Sequence, residues 1–281
     1  MDRYKGLTLE ERADHYLKEY ELTSHATDSQ IAFLGSPLPL RMGITLIGGC
    51  TGRGKSTASA NVLADFYIRY PDRRALAITN EELSADVLDR ISCIILNEDF
   101  YKHRDRSLKT EQSQRIKTCS FELMKRIIVV STQSRDMSCL EDVIDMLNMA
   151  HENSFNLVIV DYLQTIIWSQ MSPHLTQYEV SKKLGLYLKE YGRQVTIPVL
   201  LFAQLKPLSP KDMKEQSLPD FTTRVQGDQT FINHAVMVIE IIPDFENKRA
   251  QFYIHKDRFG KLMNQAFRFS WNNGILTQQN L

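Results

Sequence analysis

The run Gly49-Cys50-Thr51-Gly52-Arg53-Gly54-Lys55-Ser56 places glycines, a lysine and a hydroxyl at the spacing G-x-x-x-x-G-K-[ST], with Thr57 next in the chain. Glycines at these positions let successive backbone N–H groups converge on phosphate oxygens at a helix N-terminus. In such a cradle Lys55 would reach the β- and γ-phosphates of a nucleotide, and the Ser56 hydroxyl would ligate Mg²⁺. The match is complete and its surroundings agree with it. The apolar run Ile44-Thr45-Leu46-Ile47 precedes it, and Ala58, Val62, Leu63 and Phe66 follow at helical spacing. A chance match would lack that strand–loop–helix setting.

A second acidic group fits the same chemistry. Asp161 ends the apolar run Leu157-Val158-Ile159-Val160, where a carboxylate could hold the metal through water; the plainer role for it is capping the next turn. Hydrolysis also needs a carboxylate to orient or deprotonate water. Asn80-Glu81-Glu82-Leu83-Ser84 follows another apolar run, and the strand ends of an open parallel sheet face the ligand crevice. Spacing alone does not choose between Glu81 and Glu82, because either could serve as a helix N-terminal charge.

The elements that must position these groups alternate. Short apolar runs at 44–47, 74–78, 127–130, 157–160 and 199–202 are separated by helical patterns at 84–97, 139–151 and 177–191. This is the signature of βαβ units and a mostly parallel sheet, an α/β class of the P-loop kind. The tail changes to strand patterns at 235–242, 250–255 and 265–269, which read as antiparallel additions at one sheet edge. At the other end, Thr8 and Glu11 form a capping-box pattern, and Ala13, Tyr16, Leu17 and Tyr20 recur at helical spacing. Residues 8–22 therefore read as a helix, folded on its own domain or docked on a neighbouring subunit, and 23–39 as a polar, turn-rich linker. The expected division is 1–39 for helix and linker and 40–281 for the main domain.

Composition narrows the partners. The 281 residues are 43% hydrophobic and 24% charged, ordinary for a globular chain, and no run approaches the ~20 apolar residues of a membrane span. Cys50, Cys93, Cys119 and Cys139 show no metal-ligand pairing, which reads as reduced thiols. Lys plus Arg equals Asp plus Glu at 34 each, so any contact with nucleic acid would rest on a few local basic residues. Residues 102–126 carry eight Lys or Arg against three Asp or Glu, which is best explained as a solvated helix face.

Several segments resemble DnaB-type replicative helicases. Glu81-Glu82-Leu83-Ser84-Ala85 looks like the stretch after that family's second core strand, and Val158 to Gln164 is similar to its Walker-B strand. Ala203-Gln204-Leu205-Lys206 resembles its next motif, and Ile254-His255-Lys256-Asp257-Arg258-Phe259-Gly260 its late lysine-x-arginine element. The resemblance implies a RecA-like ATPase with Glu82 as catalytic base, Glu81 second, Asp161 on the metal and Gln204 sensing the γ-phosphate. Lys256 and Arg258 would act on the nucleotide of an adjacent subunit; the plainer account of them is an exposed strand end. The family's DNA-binding loop is matched poorly between Gln204 and Ala235, where Lys206, Lys211, Lys214 and Arg224 are candidate phosphate contacts. Replicative members carry an N-terminal domain or fused primase, which this chain is expected to lack.

The function implied is an ATP- and Mg²⁺-dependent helicase that forms a ring, expected as a hexamer, and moves on single-stranded DNA, with a primase or loader as a further partner. Its expected place is the cytoplasm, a host cytoplasm if phage-encoded, or the mitochondrion. The alternatives are a recombinase-like or circadian-clock-like ATPase without unwinding, and a loader that uses ATP as an assembly switch.

Overall fold

The computed structural model describes residues 31–36, 38–131, 140–161, 197–207, 221–225, 230–258 and 262–279, with Thr8 and scattered positions from Thr176 to Tyr191. Its elements run β1 (Gly43–Cys50), α1 (Lys55–Arg69), β2 (Ala75–Thr79), α2 (Ser84–Leu96), α3 (Phe100–Arg104), α4 (Thr110–Leu123), β3 (Ile127–Ser131), α5 (Leu140–Glu152), β4 (Leu157–Asp161) and β5 (Pro198–Leu205). Two short helices, α6 (Phe221–Arg224) and α7 (Thr230–His234), precede β6 (Met237–Asp244), β7 (Arg249–Asp257), β8 (Ala266–Asn272) and β9 (Ile275–Gln278).

The nine strands form one sheet in the order β3-β2-β4-β5-β1-β6-β7-β8-β9. β3 through β6 in that order are parallel, and β7, β8 and β9 add antiparallel pairs at one edge, as the change of pattern in the tail predicts. Central strands covered on both faces read as continuous apolar runs. Alternate residues still go to opposite sides. Leu157 and Ile159 of β4, with Leu200 and Phe202 of β5, pack toward α1 and α2. Val158, Val160, Val199 and Leu201 pack toward α5, Tyr191 and the short helices before β6. Helices on both faces of a mostly parallel sheet give the RecA-like three-layer arrangement.

The expected linker 23–39 is core from Ile31 onward. Ile31, Phe33, Leu34, Leu38 and Leu40 are buried, Phe33 and Leu38 completely. The segment folds back on itself, with Phe33 N–H donating to Leu38 O at 2.8 Å and Leu40 N–H to Ile31 O at 2.8 Å. It is pinned to α1 by Ala32 N–H donating to the Tyr70 hydroxyl at 2.8 Å, and the Phe33 ring meets Phe252 of β7 at 5.2 Å. Turn residues gave the segment its linker-like composition, while each apolar side chain between them turns inward. The expected helix 8–22 lies outside the described residues apart from Thr8, and 177–191 is described only in part.

The basic stretch 102–126 bears the expected solvated face. Ile116 and Leu123 are the buried positions of α4, while Lys102, Arg104, Arg106, Lys109, Arg115, Lys117 and Lys125 are exposed. Arg126 departs from the rest: its guanidinium donates to Tyr67 O and Tyr70 O, each at 2.8 Å, and lies over the Tyr67 ring.

Candidate functional site

β1 ends at Cys50 and α1 begins at Lys55, so the glycine-rich loop joins them as the spacing requires. Gly52 and Gly54 hold φ of 66° and 88°, the left-handed region where a side chain is strained. At Gly54 space is also short: a Cβ there would come within 2.0 Å of Cη2 of Trp271. The helix N-terminus beyond it directs its first N–H groups toward the loop, a ready anion site. Lys55 folds back over the loop, its ammonium donating to Gly49 O and Cys50 O at 3.3 Å each.

The other groups converge on this end of the sheet. Thr79 of β2 pairs with Asp161 of β4, and Asn80 N–H donates to Asp161 O at 3.0 Å, which sets the two glutamates beside the carboxylate. Gln204 of β5 pairs with Gly49 of β1, and its amide donates to the Thr51 hydroxyl. Burial lowers the Lys55 pKa, opposed by the charges of Asp161, Glu81 and Cys50. Burial also raises Asp161 to about 6; a hydrogen bond from Ser56 and the charge of Lys55 pull it down, while Glu81 and Glu82 push it up.

The donor set fits a hard cation. The Ser56 hydroxyl donates to the Asp161 carboxylate, whose Oδ1 is buried with no hydrogen-bond partner among the described residues. A buried carboxylate oxygen facing a hydroxyl at the head of a phosphate loop suits Mg²⁺, which takes oxygen ligands and keeps several waters. No grouping of three or more His, Cys, Asp or Glu side chains suited to a metal occurs among the described residues.

The two glutamates part company. Glu82 forms an ion pair with Arg90, whose guanidinium also lies 4.2 Å from the centre of the Phe100 ring. Its backbone is held as well, Ser131 Oγ donating to Glu82 O at 2.8 Å. Glu81 is exposed and acts on both Lys55 and Asp161. Glu82 also acts on Asp161, so the difference between the two is that Glu82 is tied to Arg90 while the charge of Glu81 reaches Lys55 as well. Arg90 carries no sequence signal of its own.

Lys256 and Arg258 stand elsewhere. Asp257 pairs with Met237, which pairs with Thr45, five residues before Cys50. At about 3.3 Å per residue the element lies about 16 Å down the sheet from its own phosphate loop. The Lys256 ammonium donates to Ile232 O at 2.7 Å and Asn233 O at 3.3 Å, and Arg258 Nη2 to Asn233 O at 3.4 Å. Burial, with the charge of Arg258, lowers the Lys256 pKa. Between them Asp257 pairs with Arg41 at 3.3 Å, both side chains buried. That anchor went unseen in the sequence because its partners lie far apart along the chain.

Arg224 corrects an expectation. It was a candidate contact for nucleic-acid phosphates, yet it is buried and ion-paired with Glu240 of β6. Its Nη2 also approaches Cys50 Sγ at 3.6 Å and its Nε donates to Lys206 O at 3.3 Å. His255 completes the cluster at 2.8 Å from Glu240. A guanidinium needed to neutralise a buried carboxylate cannot also bind a backbone outside. Lys206 remains exposed, while Lys211 and Lys214 lie outside the described residues. Cys50, Cys93 and Cys119 are free thiols, and no helix among the described residues is long and apolar enough to cross a membrane.

Residues 40–274 match the family model for the DnaB-like helicase C-terminal domain. No curated protein matches the sequence. A solved ATPase domain superposes with a TM-score of 0.73 at 12% identity, covering 97% of this chain and 99% of that one. A DnaB-like replicative helicase, from a structure describing its interactions with primase, gives 0.70 at 13% identity, covering 98% and 67%. Both likenesses concern the fold.

Proposed function

Because this chain belongs to the DnaB-like helicase C-terminal domain family, we propose that it is an ATP-dependent, ring-forming helicase of replicative type, which hydrolyses ATP at subunit interfaces to move along single-stranded DNA. One observation carries the reading. Lys55, Ser56, Asp161, Glu81 and Gln204 gather at one end of the sheet, whereas Lys256 and Arg258 sit toward the other, which supports a site completed by the lysine and arginine of a second subunit. An arginine supplied from a neighbour stabilises charge on the transferring phosphoryl group and makes hydrolysis depend on assembly.

Within one site the roles follow from position. The loop N–H groups and Lys55 bind the phosphates. Ser56 and Asp161 would hold Mg²⁺, which neutralises charge on the β- and γ-oxygens when bound. Glu81 takes a proton from the attacking water, and Arg90 positions Glu82 beside it. Gln204 reads the γ-phosphate from β5, and Lys206 at the end of that strand is an exposed contact for a DNA backbone. The ring is read as a hexamer, and a primase is a natural partner because a structurally similar replicative helicase is described with one.

ATP turnover with and without single-stranded DNA, measured beside oligomer mass, tests the proposal. A ring whose turnover rises on DNA and is abolished by Lys55→Ala supports it. Open filaments, or an assembly indifferent to DNA, would sink it in favour of a recombinase-like ATPase or an assembly switch.

A further inference from the structure

An unbroken strand sends successive side chains to opposite faces of its sheet. β7 keeps that alternation as far as Ile254 and then breaks it. Phe252 and Ile254 pair with Ile241 and Ile239 of β6, and all four belong to the core on the α1 side. The next pair toward the start of β6 is Val238 with Lys256, so the ladder skips His255. His255 is the extra residue of a β-bulge, and the side chains after it change faces. Its ring and the Lys256 ammonium both lie on the other side of the sheet, the ring 5.1 Å from Phe221 of α6 and the ammonium on α7 at Ile232 O and Asn233 O. Arg258, which is exposed, also reaches Asn233 O. Asp257 goes inward instead, to Arg41, and accepts from Leu262 N–H at 3.2 Å. In a regular strand Asp257 would turn toward α7, and Lys256 and Arg258 would face the α1-side core.

The bulge is clamped by its own side chain. His255 Nε2 lies 2.8 Å from Glu240 Oε2, Arg224 holds the same carboxylate, and the Tyr253 ring stands against the imidazole edge to face at 4.8 Å. We propose that His255 is the positioning residue of the in-trans pair: its bulge, clamped on Glu240, aims Lys256 and Arg258 at the nucleotide of the neighbouring subunit. The proposal rests on the ring reading above and names the device that sets the aim. His255 acts through the two cations that flank Asp257, and a displacement of about 1 Å in such a group costs on the order of 10²-fold in rate.

The test uses the whole chain in mixed rings. His255→Ala is expected to lower DNA-stimulated turnover on the order of tenfold or more, with ATP affinity and ring mass unchanged. His255→Gln, whose amide still donates to Glu240, should restore most of that turnover. Mixing His255→Ala subunits with inactive Lys55→Ala subunits should raise turnover per intact P-loop above that of the pure His255→Ala ring, because intact loops then stand beside well-aimed arginines. Arg258→Ala mixed with Lys55→Ala sets the benchmark. Recovery in the benchmark without recovery for His255→Ala would overturn the proposal, as would full turnover or lost ring mass in the pure His255→Ala protein. No recovery in the benchmark would overturn the in-trans reading itself, and the positioning role with it.

Discussion

The Gln204 side-chain amide donates to the Thr51 hydroxyl, tying the end of β5 to the tip of the phosphate loop one strand away. A γ-phosphate seated by that loop must compete for or share this bond. In the role proposed for it, Gln204 passes the state of the ligand to Lys206, two residues on. Gln204→Ala is expected to lower DNA-stimulated turnover on the order of tenfold or more while changing nucleotide affinity little, in steady-state assays beside direct binding. A change in affinity alone would reduce Gln204 to a loop brace.

Glu81 and Glu82 differ in surroundings, so their amide variants should differ in effect. Glu81→Gln is expected to cut kcat on the order of 10²-fold or more with ATP still bound, because it removes the carboxylate proposed to take the water's proton, whose charge acts on Lys55 and Asp161. Glu82→Gln should cost less, acting through its lost partner Arg90. The reverse ranking would return the base to Glu82.

Asp161 lies buried with its pKa raised to about 6, above the 3.8 of an unperturbed carboxyl. The folded state therefore binds that proton more tightly than the unfolded chain. The stability this confers is present at low pH and lost as pH rises through about 6. Asp161→Asn should raise the ligand-free protein's stability at neutral pH, by up to about 3 kcal/mol, and abolish Mg²⁺-dependent turnover. A cation needs the carboxylate ionised, so Mg·ATP affinity of the unaltered protein should fall as pH drops through about 6. Thermal melts at pH 5 and 8, with and without the substitution, check the first sign; titrations at the same two values check the second.

Removing Arg224 leaves Glu240 in the interior with His255 as its ion-pair partner among the described residues. Arg224→Ala is expected to cost about 3 kcal/mol of unfolding free energy, measured in urea. Undiminished stability with weakened DNA binding would restore Arg224 to the nucleic-acid interface.

The Arg258 guanidinium holds its own chain by a long bond to Asn233 O. Arg258→Ala should leave ATP binding and stability nearly unchanged and remove DNA-stimulated hydrolysis in the assembled ring, a loss of about 10³-fold or more. Mixed rings would show it most directly: subunits with intact P-loops should fall silent beside neighbours that lack the arginine. Normal turnover in the fully substituted ring would rule the residue out.

Much of this architecture could be read from the chain because local chemistry fixes it. The P-loop needs glycines with positive φ, and strands buried on both faces must be apolar throughout, so Gly49–Ser56 and the strand ending at Asp161 announced themselves, while Gln204 came from the family resemblance. Contacts between residues distant in sequence left no trace. Arg41 with Asp257, and Arg224 with Glu240, are ordinary surface types by composition, and only the crossing of strands buries them. What separates Glu81 from Glu82 in the structure is Arg90, a helix residue whose reach to Glu82 depends on the α2 geometry. The strand β9 and the short helix α3 were not distinguished either, and α4 entered only as a solvated helix face without bounds, being predominantly polar.

The inward fold of Ile31 to Leu40 bears on where this domain can be cut. A fragment begun at residue 40, where the family match starts, would sever Ile31, Phe33, Leu34 and Leu38 from the chain. Phe252 and the flank of α1 would then lie bare to water beside the strand that carries Lys256 and Arg258. An ATPase module meant for expression by itself, or for grafting behind another N-terminal piece, keeps its own plug only if it starts at or before Ile31.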